Sequence, residues 1–303
     1  MKICVVGSFM MDLVANAPRR PNSGETIIGT SFSMNVGGKG FNQAVAARRA
    51  GAEVSIVGCL GKDAFAEKFI DFMKAEDIDY SGVELNDEIG TGTGMPLIEE
   101  NGQNSIVIIP QANLTVDEKF IERQKDKILA ADVIVMQLEI PIKTVKYIAE
   151  LAKKDNKTII LNPAPYADLD NETLKLVDYI IPNEHELIGL VQDCDVNLEC
   201  SIIESVHNFQ KNIPINFVVT LGDRGVLSIS KDGETISLKP HSVVPIDTVG
   251  AGDTFCGYFA SGIASGKTLL DSLKMANKAA SISVTRRGAA KSVPYAREVI
   301  SVI

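Results

Sequence analysis

Patterns of buried strands alternate with helical patterns along most of this chain of 303 residues. Short runs rich in valine and isoleucine, bounded by glycine or polar residues, are typical of strands that are buried on both faces. Such runs occupy residues 3–6, 54–57, 133–138, 158–161, 179–181 and 217–221. Helical patterns lie between them, at residues 42–50, 64–74, 117–129, 142–153 and 186–191. This order predicts an α/β fold, with a mostly parallel central sheet and helices on both of its faces.

Two segments interrupt this alternation. Residues 13–33 and 91–109 carry strand-like polar and apolar residues with glycine turns and no helical pattern. We expect them to form a small β-sheet lid. No linker-like composition, internal repeat or low-complexity tract divides the chain, so the lid is predicted to be inserted into a single α/β domain that spans residues 1–303. Pro96 lies within a lid strand, and its missing N–H favours an edge strand there.

The charge and cysteine content exclude several classes of protein. With 39 acidic and 30 basic side chains the net charge is −9, which gives no overall electrostatic support for binding nucleic acid or an anionic membrane. The five cysteines are an odd number without C-x-x-C spacing, which argues against a disulfide framework and a zinc site. No apolar stretch approaches the roughly 20 residues of a membrane helix. We therefore expect a cytoplasmic protein that binds neither nucleic acid nor membranes.

A glycine-rich motif occupies residues 35–44, with the sequence Asn-Val-Gly-Gly-Lys-Gly-Phe-Asn-Gln-Ala. Its glycines permit positive φ and let backbone N–H groups approach a ligand, and the helix that follows presents its N-terminus to the same place. The motif thus indicates a site for a hydroxylated or anionic ligand. The alternative is a turn that only reverses the chain, which leaves Lys39 and Asn42 unexplained.

A second glycine motif precedes the helical pattern at residues 255–263. Gly250, Ala251 and Gly252 would place several unpaired N–H donors at a helix start, which forms an anion hole suited to a transferring phosphoryl group. Asp253 would lie in that hole. The alternative is that Asp253 only caps the helix, which explains an aspartate but not the Gly-Ala-Gly before it.

Two further groups follow predicted strands, where open α/β sheets bind ligands. Thr220, Gly222 and Gly225 lie where one buried strand ends and another begins. Asn183 and Glu186 are spaced so that both lie on one helical face, which suits a hydrated Mg²⁺ ion. The alternative for this pair is a capping box, with Asn183 as the N-cap and Glu186 three residues later.

Together the two glycine motifs resemble those of the ribokinase (PfkB) family of carbohydrate kinases, and the resemblance spans nearly the whole chain. Residues 36–43, 137–139, 161–165, 182–184, 220–222 and 284–288 also fit the family pattern, most closely that of its ribose-phosphorylating members. The resemblance implies a ribokinase-like fold and an ATP-dependent kinase that phosphorylates the 5-hydroxyl of D-ribose. The alternatives are a family kinase for fructose, deoxyribose or a nucleoside, and a non-catalytic sugar-binding regulator.

The same resemblance implies a role for each matching residue. Asp253 would be the catalytic base, with the anion hole formed by Gly250, Ala251 and Gly252. Asp253 would also contact the sugar, together with Asp12, Gly38, Lys39, Asn42 and Glu139. ATP would be bound by Asn183, Thr220, Gly222, Gly225 and Asn277, and Mg²⁺ would be held through water by Glu186. A K⁺ ion would be held by oxygens of Asp247, Val249, Ser283, Arg286, Gly288 and Ser292. The family also implies a homodimer formed through the lid.

Overall fold

The computed structural model describes residues 2–191 and 194–300 of the chain. The strands in these ranges are β1 (Lys2–Val6), β2 (Met10–Ala17), β3 (Ser31–Gly37), β4 (Glu53–Gly61), β5 (Asp79–Asn86), β6 (Thr93–Glu99), β7 (Asn104–Ile109), β8 (Val133–Met136), β9 (Thr158–Leu161), β10 (Tyr179–Ile180), β11 (Asn216–Thr220), β12 (Val226–Ile229) and β13 (Thr235–Leu238). The α-helices are α1 (Lys39–Arg49), α2 (Ala64–Ala75), α3 (Glu118–Leu129), α4 (Ile142–Lys154), α5 (Asn171–Leu174), α6 (Glu184–Val191), α7 (Glu199–Gln210), α8 (Ala251–Ala264), α9 (Leu269–Ser283) and α10 (Ala296–Ile300). None of these helices is long and apolar enough to cross a membrane.

The described strands form one nine-stranded central sheet, in the spatial order β13-β12-β11-β10-β9-β8-β1-β4-β5. Neighbouring strands from β5 to β11 pair in parallel, whereas β12 and β13 pair antiparallel at one edge. The predicted mostly parallel sheet is therefore confirmed, and the predicted strand and helix patterns coincide with elements whose ends differ by a few residues. The sequence patterns miss β5, an edge strand whose half-exposed polar residues leave no buried-strand signature.

The first strand shows why helices cover both faces of the sheet. Ile3 and Val5 belong to a buried cluster with residues of α1, α2, α8 and α9. Cys4 and Val6 belong to a second cluster with residues of α3, α4, α6 and α7. Successive side chains of a strand point to opposite faces, so one short apolar run contributes to two hydrophobic cores.

Four strands form a separate sheet, here called the lid sheet, in the order β3-β2-β6-β7. Its first segment is longer than predicted, because β2 begins at Met10 and β3 ends at Gly37, and these two residues pair with each other. The beginning of the first glycine motif is therefore part of the lid sheet. Asp12 also lies in this sheet, in the middle of β2.

The predicted edge position of Pro96 is wrong, because β6 lies between β2 and β7. The pairing of β6 with β2 is interrupted between the Asp12–Gly94 pair and the Ala15–Leu97 pair, beside the proline. Pairing with β7 continues through Pro96 on the other side. An interior strand thus accommodates the missing N–H through a gap in one ladder.

Helices α1 and α8 approach each other so closely that Gly257 has no room for a side chain. A Cβ atom at Gly257 would lie 2.5 Å from the Ala46 Cβ and 2.5 Å from the Gln43 carbonyl oxygen. The close approach places the first turn of α8, which contains Asp253, against the first turns of α1.

We expect Gly257→Ala to lower the free energy of unfolding by about 1–3 kcal/mol, because the added methyl group overpacks the contact between α1 and α8. Urea unfolding measures this change. Lys274→Ala, on the exposed side of α9, is a helical control that is expected to change the same quantity by less than about 0.5 kcal/mol. Wild-type stability of Gly257→Ala would contradict the close contact.

Candidate active site

The candidate site lies at the carboxyl ends of five neighbouring parallel strands, β1, β8, β9, β10 and β11. Parallel α/β sheets bind their ligands at this edge, because the loops that follow the strands converge there. The end of each strand or the loop after it contributes a polar residue to this region: Ser8, Glu139, Asn162, Asn183 and Thr220.

A pocket of about 170 Å³ at this edge brings together residues from both glycine motifs and from the loops after β10 and β11. The predicted site residues that line it are Lys39, Asn183, Glu186, Thr220, Gly250, Gly252 and Asp253. Residues without a predicted role also line it, namely Asn162, Ala164, Ile181 and Cys256. The two motifs, distant in sequence, therefore form one site.

A larger groove of about 470 Å³ lies at the opposite ends of the strands, where β1 and β4 begin. Its lysines are already paired: Lys2 lies 3.3 Å from Glu53, and Lys127 lies 3.2 Å from Asp79. The smaller pocket is the better candidate, because it contains the convergent polar groups of a binding site.

The start of α8 is open toward the pocket. Gly250 is the N-cap residue, with φ of 75° and no side-chain capping bond, and a Cβ there would lie 3.0 Å from the Ala289 Cα. Gly252 has no other group within 4 Å of a Cβ position. Ala251 N already donates to the Thr248 carbonyl at 3.3 Å. The helix start therefore leaves space for an anion beside the N–H groups of Gly250 and Gly252.

The carboxylate of Asp253 is held from α1. Its Oδ2 accepts a hydrogen bond from Asn42 Nδ2 at 2.9 Å, and its Oδ1 accepts one from Gln43 Nε2 at 3.0 Å. Asp253 is buried and is not the N-cap of its own helix, so the capping alternative does not describe it. Asn42 Oδ1 is a buried acceptor without a partner in the structure, which suits it to receive a ligand hydroxyl.

The first glycine motif positions side chains of the site, and its N–H groups at the start of α1 are bonded within the protein. Gly38 has φ of 93°, and a Cβ there would lie 2.7 Å from the Met10 nitrogen, so only glycine fits. The first N–H groups of α1 are already bonded: Lys39 N donates to Glu139 Oε2 at 2.9 Å, and Gly40 N donates to Ser8 Oγ at 3.3 Å. The expectation of a ligand at the motif's N–H groups is therefore wrong for Lys39 and Gly40, because Glu139 and Ser8 accept their hydrogen bonds.

Lys39 lies among several carboxylates. Burial lowers the pKa of Lys39, but the charges of Asp253, Glu139 and Glu186 outweigh that effect and leave the pKa above its ordinary value. Burial raises the pKa of Glu139, and the nearby Lys39 opposes this rise. A permanently charged ammonium group at this position can attract and neutralise a phosphate.

Asp12 projects from the lid sheet toward Glu139 through space left by two glycines. A Cβ at Gly37 would lie 2.7 Å from Asp12 Oδ2, and a Cβ at Gly94 would lie 2.6 Å from Oδ1. Burial, reinforced by the charge of Glu139, raises the pKa of Asp12 to about 6. The two flanking strands therefore leave room for this one carboxylate.

Asn183 and Glu186 form a reciprocal capping box at the start of α6. Glu186 Oε2 accepts from Asn183 N at 2.9 Å, and Asn183 Oδ1 accepts from Glu186 N at 2.9 Å. The capping alternative thus describes their hydrogen bonds. Glu186 also lines the pocket beside Asp253, and a carboxylate that accepts one bond per oxygen keeps lone pairs for metal-bound water. The residues present therefore fit a hydrated Mg²⁺ ion.

Three predicted nucleotide residues do not line the pocket. Asn277 Nδ2 donates to the Lys239 carbonyl at 2.8 Å. Gly225 has φ of 96° and shapes the turn between β11 and β12, since a Cβ there would lie 2.0 Å from the Leu238 carbonyl oxygen. Gly222 is exposed, with open space at its Cβ position.

The predicted K⁺ residues lie in two segments, 247–249 and 283–292, that Asp247 joins directly. Its Oδ1 accepts from Val249 N at 3.0 Å, and its Oδ2 accepts from Gly288 N at 2.9 Å. The hydroxyls of Ser283 and Ser292 each donate to a backbone carbonyl at 2.8 Å, which leaves their oxygens able to accept. The donor set consists of oxygens, as an alkali cation requires. Arg286 contributes no side chain to it, because its guanidinium pairs with Glu298.

Comparison with known proteins assigns the family. The model of the pfkB family of carbohydrate kinases matches residues 1–296. The chain belongs to this family. The predicted family is confirmed, and with it the class of enzyme, a phosphotransferase with a sugar hydroxyl as acceptor.

Among its relatives, the ribokinase of Schizosaccharomyces pombe is 36% identical, with 99% of this chain and 96% of that protein covered. A deoxyribokinase of Salmonella typhi is 33% identical, with 97% of this chain and 96% of that protein covered. The structure of Arabidopsis thaliana ribokinase complexed with ribose and ATP superposes with a TM-score of 0.92 at 28% identity, covering 99% of this chain and 97% of that one.

Sequence reasoning gave no role to Gln43, Gln137, Asn162 and Ser8 in this kinase. Gln43 follows Asn42 in the first glycine motif, and Gln137 lies two residues before Glu139 after β8. The closeness of Gln43 and Gln137 to these predicted site residues in the sequence is the signal that could have found them. A single sequence does not reveal which neighbouring amides point into a site and which pack elsewhere.

We expect Asp12→Asn to raise the free energy of unfolding by about 1–2 kcal/mol at pH 8 and to leave it almost unchanged at pH 4. Because the pKa of Asp12 in the folded kinase is raised to about 6, the unfolded chain ionises first, and this carboxyl costs stability as the pH rises from about 4 to about 6. Asparagine removes that cost.

Urea unfolding at both pH values measures the effect. Asp71→Asn, at an exposed position in α2, is the control and is expected to change stability by less than about 0.5 kcal/mol at either pH. A stability loss for Asp12→Asn at pH 8 would show that this carboxylate stabilises the fold, contrary to the account.

Proposed function

We propose that the protein is a cytoplasmic ATP-dependent kinase that transfers the γ-phosphoryl group of ATP to the 5-hydroxyl of D-ribose and yields D-ribose 5-phosphate. The observation that carries the proposal is the Asp253 carboxylate, oriented by two amides beside the open N-terminus of α8. This arrangement supplies a proton acceptor and an anion hole in one place. The relatives named ribokinase and the likeness to a ribokinase complexed with ribose and ATP support the choice of substrates.

The sugar is assigned to the space between the lid sheet and the start of α1. Asp12, Glu139 and the unpartnered Asn42 Oδ1 together offer acceptors for several hydroxyl groups. A site with buried acceptors selects ligands that satisfy them, because a ligand without the matching hydroxyl leaves them unpaired. Gly38 and Lys39 are also assigned to the sugar site.

Asp253 is assigned as the acceptor of the proton from the primary hydroxyl. The hydroxyl oxygen attacks the γ-phosphorus as the bond to ADP breaks, through a loose transition state in which positioning and charge neutralisation dominate. The N–H groups at Gly250 and Gly252 would stabilise the charge on the transferring phosphoryl group, and Ala251 N would join them by sharing its long bond to the Thr248 carbonyl. Lys39 adds a positive charge at the same point, since it lies in the pocket with Gly250 and Asp253.

The nucleotide is assigned to the loops after β10 and β11, next to the same pocket. Asn183, Thr220, Gly222, Gly225 and Asn277 would surround it. When bound, Mg²⁺ would neutralise negative charge on the phosphates of ATP. Glu186 would orient water on that ion while its capping bonds with Asn183 keep the carboxylate in place.

The K⁺ proposal assigns the ion a role in ordering the loop before α8. Asp247 already connects residues 247–249 to Gly288, and Gly250 packs against Ala289. An ion held by oxygens of these loops would reinforce a contact that sets the position of the anion hole. It would act without touching the sugar.

The homodimer proposal rests on an apolar face of the lid sheet. Exposed side chains on one face come from three of its four strands: Phe32, Met34, Met95, Val107 and Ile109. Exposed apolar patches of this kind mark interaction sites. A second copy of the chain, joined lid to lid as the family resemblance implies, is the proposed occupant.

Deoxyribose is the second candidate substrate, because a deoxyribokinase is 33% identical to this chain. The two sugars differ by one hydroxyl group. A panel of ribose, deoxyribose, fructose and a nucleoside, assayed with ATP and Mg²⁺, distinguishes these candidates, and we expect the highest kcat/KM with ribose. A higher value with any other acceptor would overturn the assignment to ribose.

We expect Asp253→Asn to lower kcat by about 10²–10⁴-fold, because the amide keeps the shape but does not accept the proton. Ribose binding, measured by calorimetry, should be largely retained. Asp232→Asn, in an exposed turn between β12 and β13, is the control and should retain wild-type turnover. Near wild-type turnover in Asp253→Asn would remove this residue from the mechanism.

We expect K⁺ to raise the activity of the wild-type enzyme and Na⁺ to substitute poorly, because Na⁺ is smaller and more strongly hydrated. Asp247→Ala should abolish the response to K⁺ and leave a weak activity that is insensitive to the cation. Initial rates in potassium-free buffer and in saturating KCl measure this. Equal wild-type rates in the two buffers would contradict the K⁺ proposal.

We expect the wild-type protein to be a dimer and Val107→Glu to be a monomer, because the introduced charge would be buried in the lid contact. Light scattering after size-exclusion chromatography gives the mass. Ile28→Glu changes a side chain that is 90% exposed outside the strands, and this control should remain dimeric. A monomeric wild-type protein would refute the proposed dimer.

A further inference from the structure

Gln43 is a fully buried amide beside the proposed base. Its Nε2 donates to Asp253 Oδ1 at 3.0 Å and to Asn162 Oδ1 at 3.1 Å. Its Oε1 accepts from Gln137 Nε2 at 2.6 Å. Every polar group of this side chain is therefore bonded within the protein, and its orientation is fixed from three directions.

The charge of the carboxylate determines the direction of these hydrogen bonds. An ionised carboxylate only accepts, so Gln43 must turn Nε2 toward Asp253 and Oε1 away from it. Gln137 must then turn its own Nε2 toward Gln43. Its Oε1 is left buried without a partner, an unfavourable position that lies at the far end of the chain of amides from the carboxylate.

The amides are anchored on strand ends, which are the rigid part of the site. Gln137 directly follows β8, and a Cβ at Gly7 would lie only 2.1 Å from its Oε1, so glycine provides the space for it. Asn162 directly follows β9 and donates through Nδ2 to the Ile181 carbonyl at 2.8 Å. A group held by such strand-anchored partners keeps its geometry better than one on a free loop.

The two oxygens of Asp253 are thereby distinguished. Oδ1 is bonded to Gln43, whose side chain is completely buried. Oδ2 is bonded to Asn42, whose own Oδ1 has no protein partner and is assigned to the sugar. The sugar-facing oxygen is therefore Oδ2.

We propose that Gln43 is a positioning residue for proton transfer, which holds Oδ1 of Asp253 on the core side so that Oδ2 accepts the proton of the sugar hydroxyl. This inference rests on the proposed function. In the step, the hydroxyl O–H bond breaks and its proton goes to Oδ2. The hydroxyl oxygen bonds to the γ-phosphorus, and the bond from that phosphorus to the ADP oxygen breaks. Gln43 exchanges no proton and touches no substrate.

Gln43→Met tests this role, because methionine retains the length of the side chain and lacks the donor. We expect kcat to fall by about 10- to 100-fold, since a misplaced base loses the productive geometry. KM for ribose and for ATP should change by less than about threefold. Gln210→Met is the matched control: its amide bonds the Ile215 carbonyl at 2.9 Å, outside the pocket, and its kcat should stay at the wild-type value.

A double-mutant cycle separates positioning from a general structural defect. If Gln43 acts through Asp253, adding Gln43→Met to Asp253→Asn should lower kcat by less than about twofold. An equal loss in both backgrounds, or wild-type kcat for Gln43→Met alone, would overturn the inference. Wild-type turnover of Asp253→Asn would instead overturn the proposed base, so the two failures are distinguishable.

Gln137→Met keeps the inference testable if Gln43→Met does not fold. It removes the donor that orients Gln43 and leaves the contact with Asp253 in place. We expect a smaller loss of kcat, about 3- to 10-fold, with the KM values unchanged. Wild-type kcat in a folded Gln137→Met protein would count against the chain of amides.

Discussion

The site depends on the hydrogen bonds that α1 makes to the Asp253 carboxylate. These bonds cross a helix contact that is close because Gly257 has no side chain. They also combine the two glycine motifs, since one motif supplies the amides and the other supplies the carboxylate and the open helix start. Neither motif alone forms the arrangement that we propose as a proton acceptor beside an anion hole. The rest of the fold brings these two helix starts together at the carboxyl edge of the sheet.

The candidate site contains more carboxylates than positively charged side chains, which suits the binding of hydroxyl groups and of a hydrated cation. Glu139, Glu186 and Asp253 lie near Lys39, and Asp12 lies near Glu139. Burial raises the pKa of Asp12, Glu139 and Glu186. A buried carboxyl with a raised pKa lowers the free energy of unfolding when it is ionised. In the proposed function, sugar hydroxyl groups and the water on Mg²⁺ would satisfy these carboxylates on binding, which is the usual trade between stability and activity.

The sequence was sufficient for most of the central sheet, for six of the ten described helices and for most of the pocket, because buried strands and glycine motifs are local patterns. It was insufficient wherever a choice depended on contacts between distant elements. The edge position of Pro96 was wrong because the neighbours of β6 come from separate parts of the chain. The N–H groups after Gly38 were assigned to a ligand because the sequence does not show that Glu139, 100 residues away, occupies one of them. The orientation of Gln43 was invisible for the same reason.

Phosphorus NMR of the reaction product tests the central claim, that the enzyme transfers phosphate to the primary hydroxyl of the sugar. With D-ribose, ATP and Mg²⁺, the account predicts one sugar phosphate whose phosphorus couples to the two protons of C5. It also predicts no reaction beyond background with 5-deoxyribose, which lacks that hydroxyl. A phosphate on another carbon, or hydrolysis of ATP at the same rate with and without ribose, would contradict it.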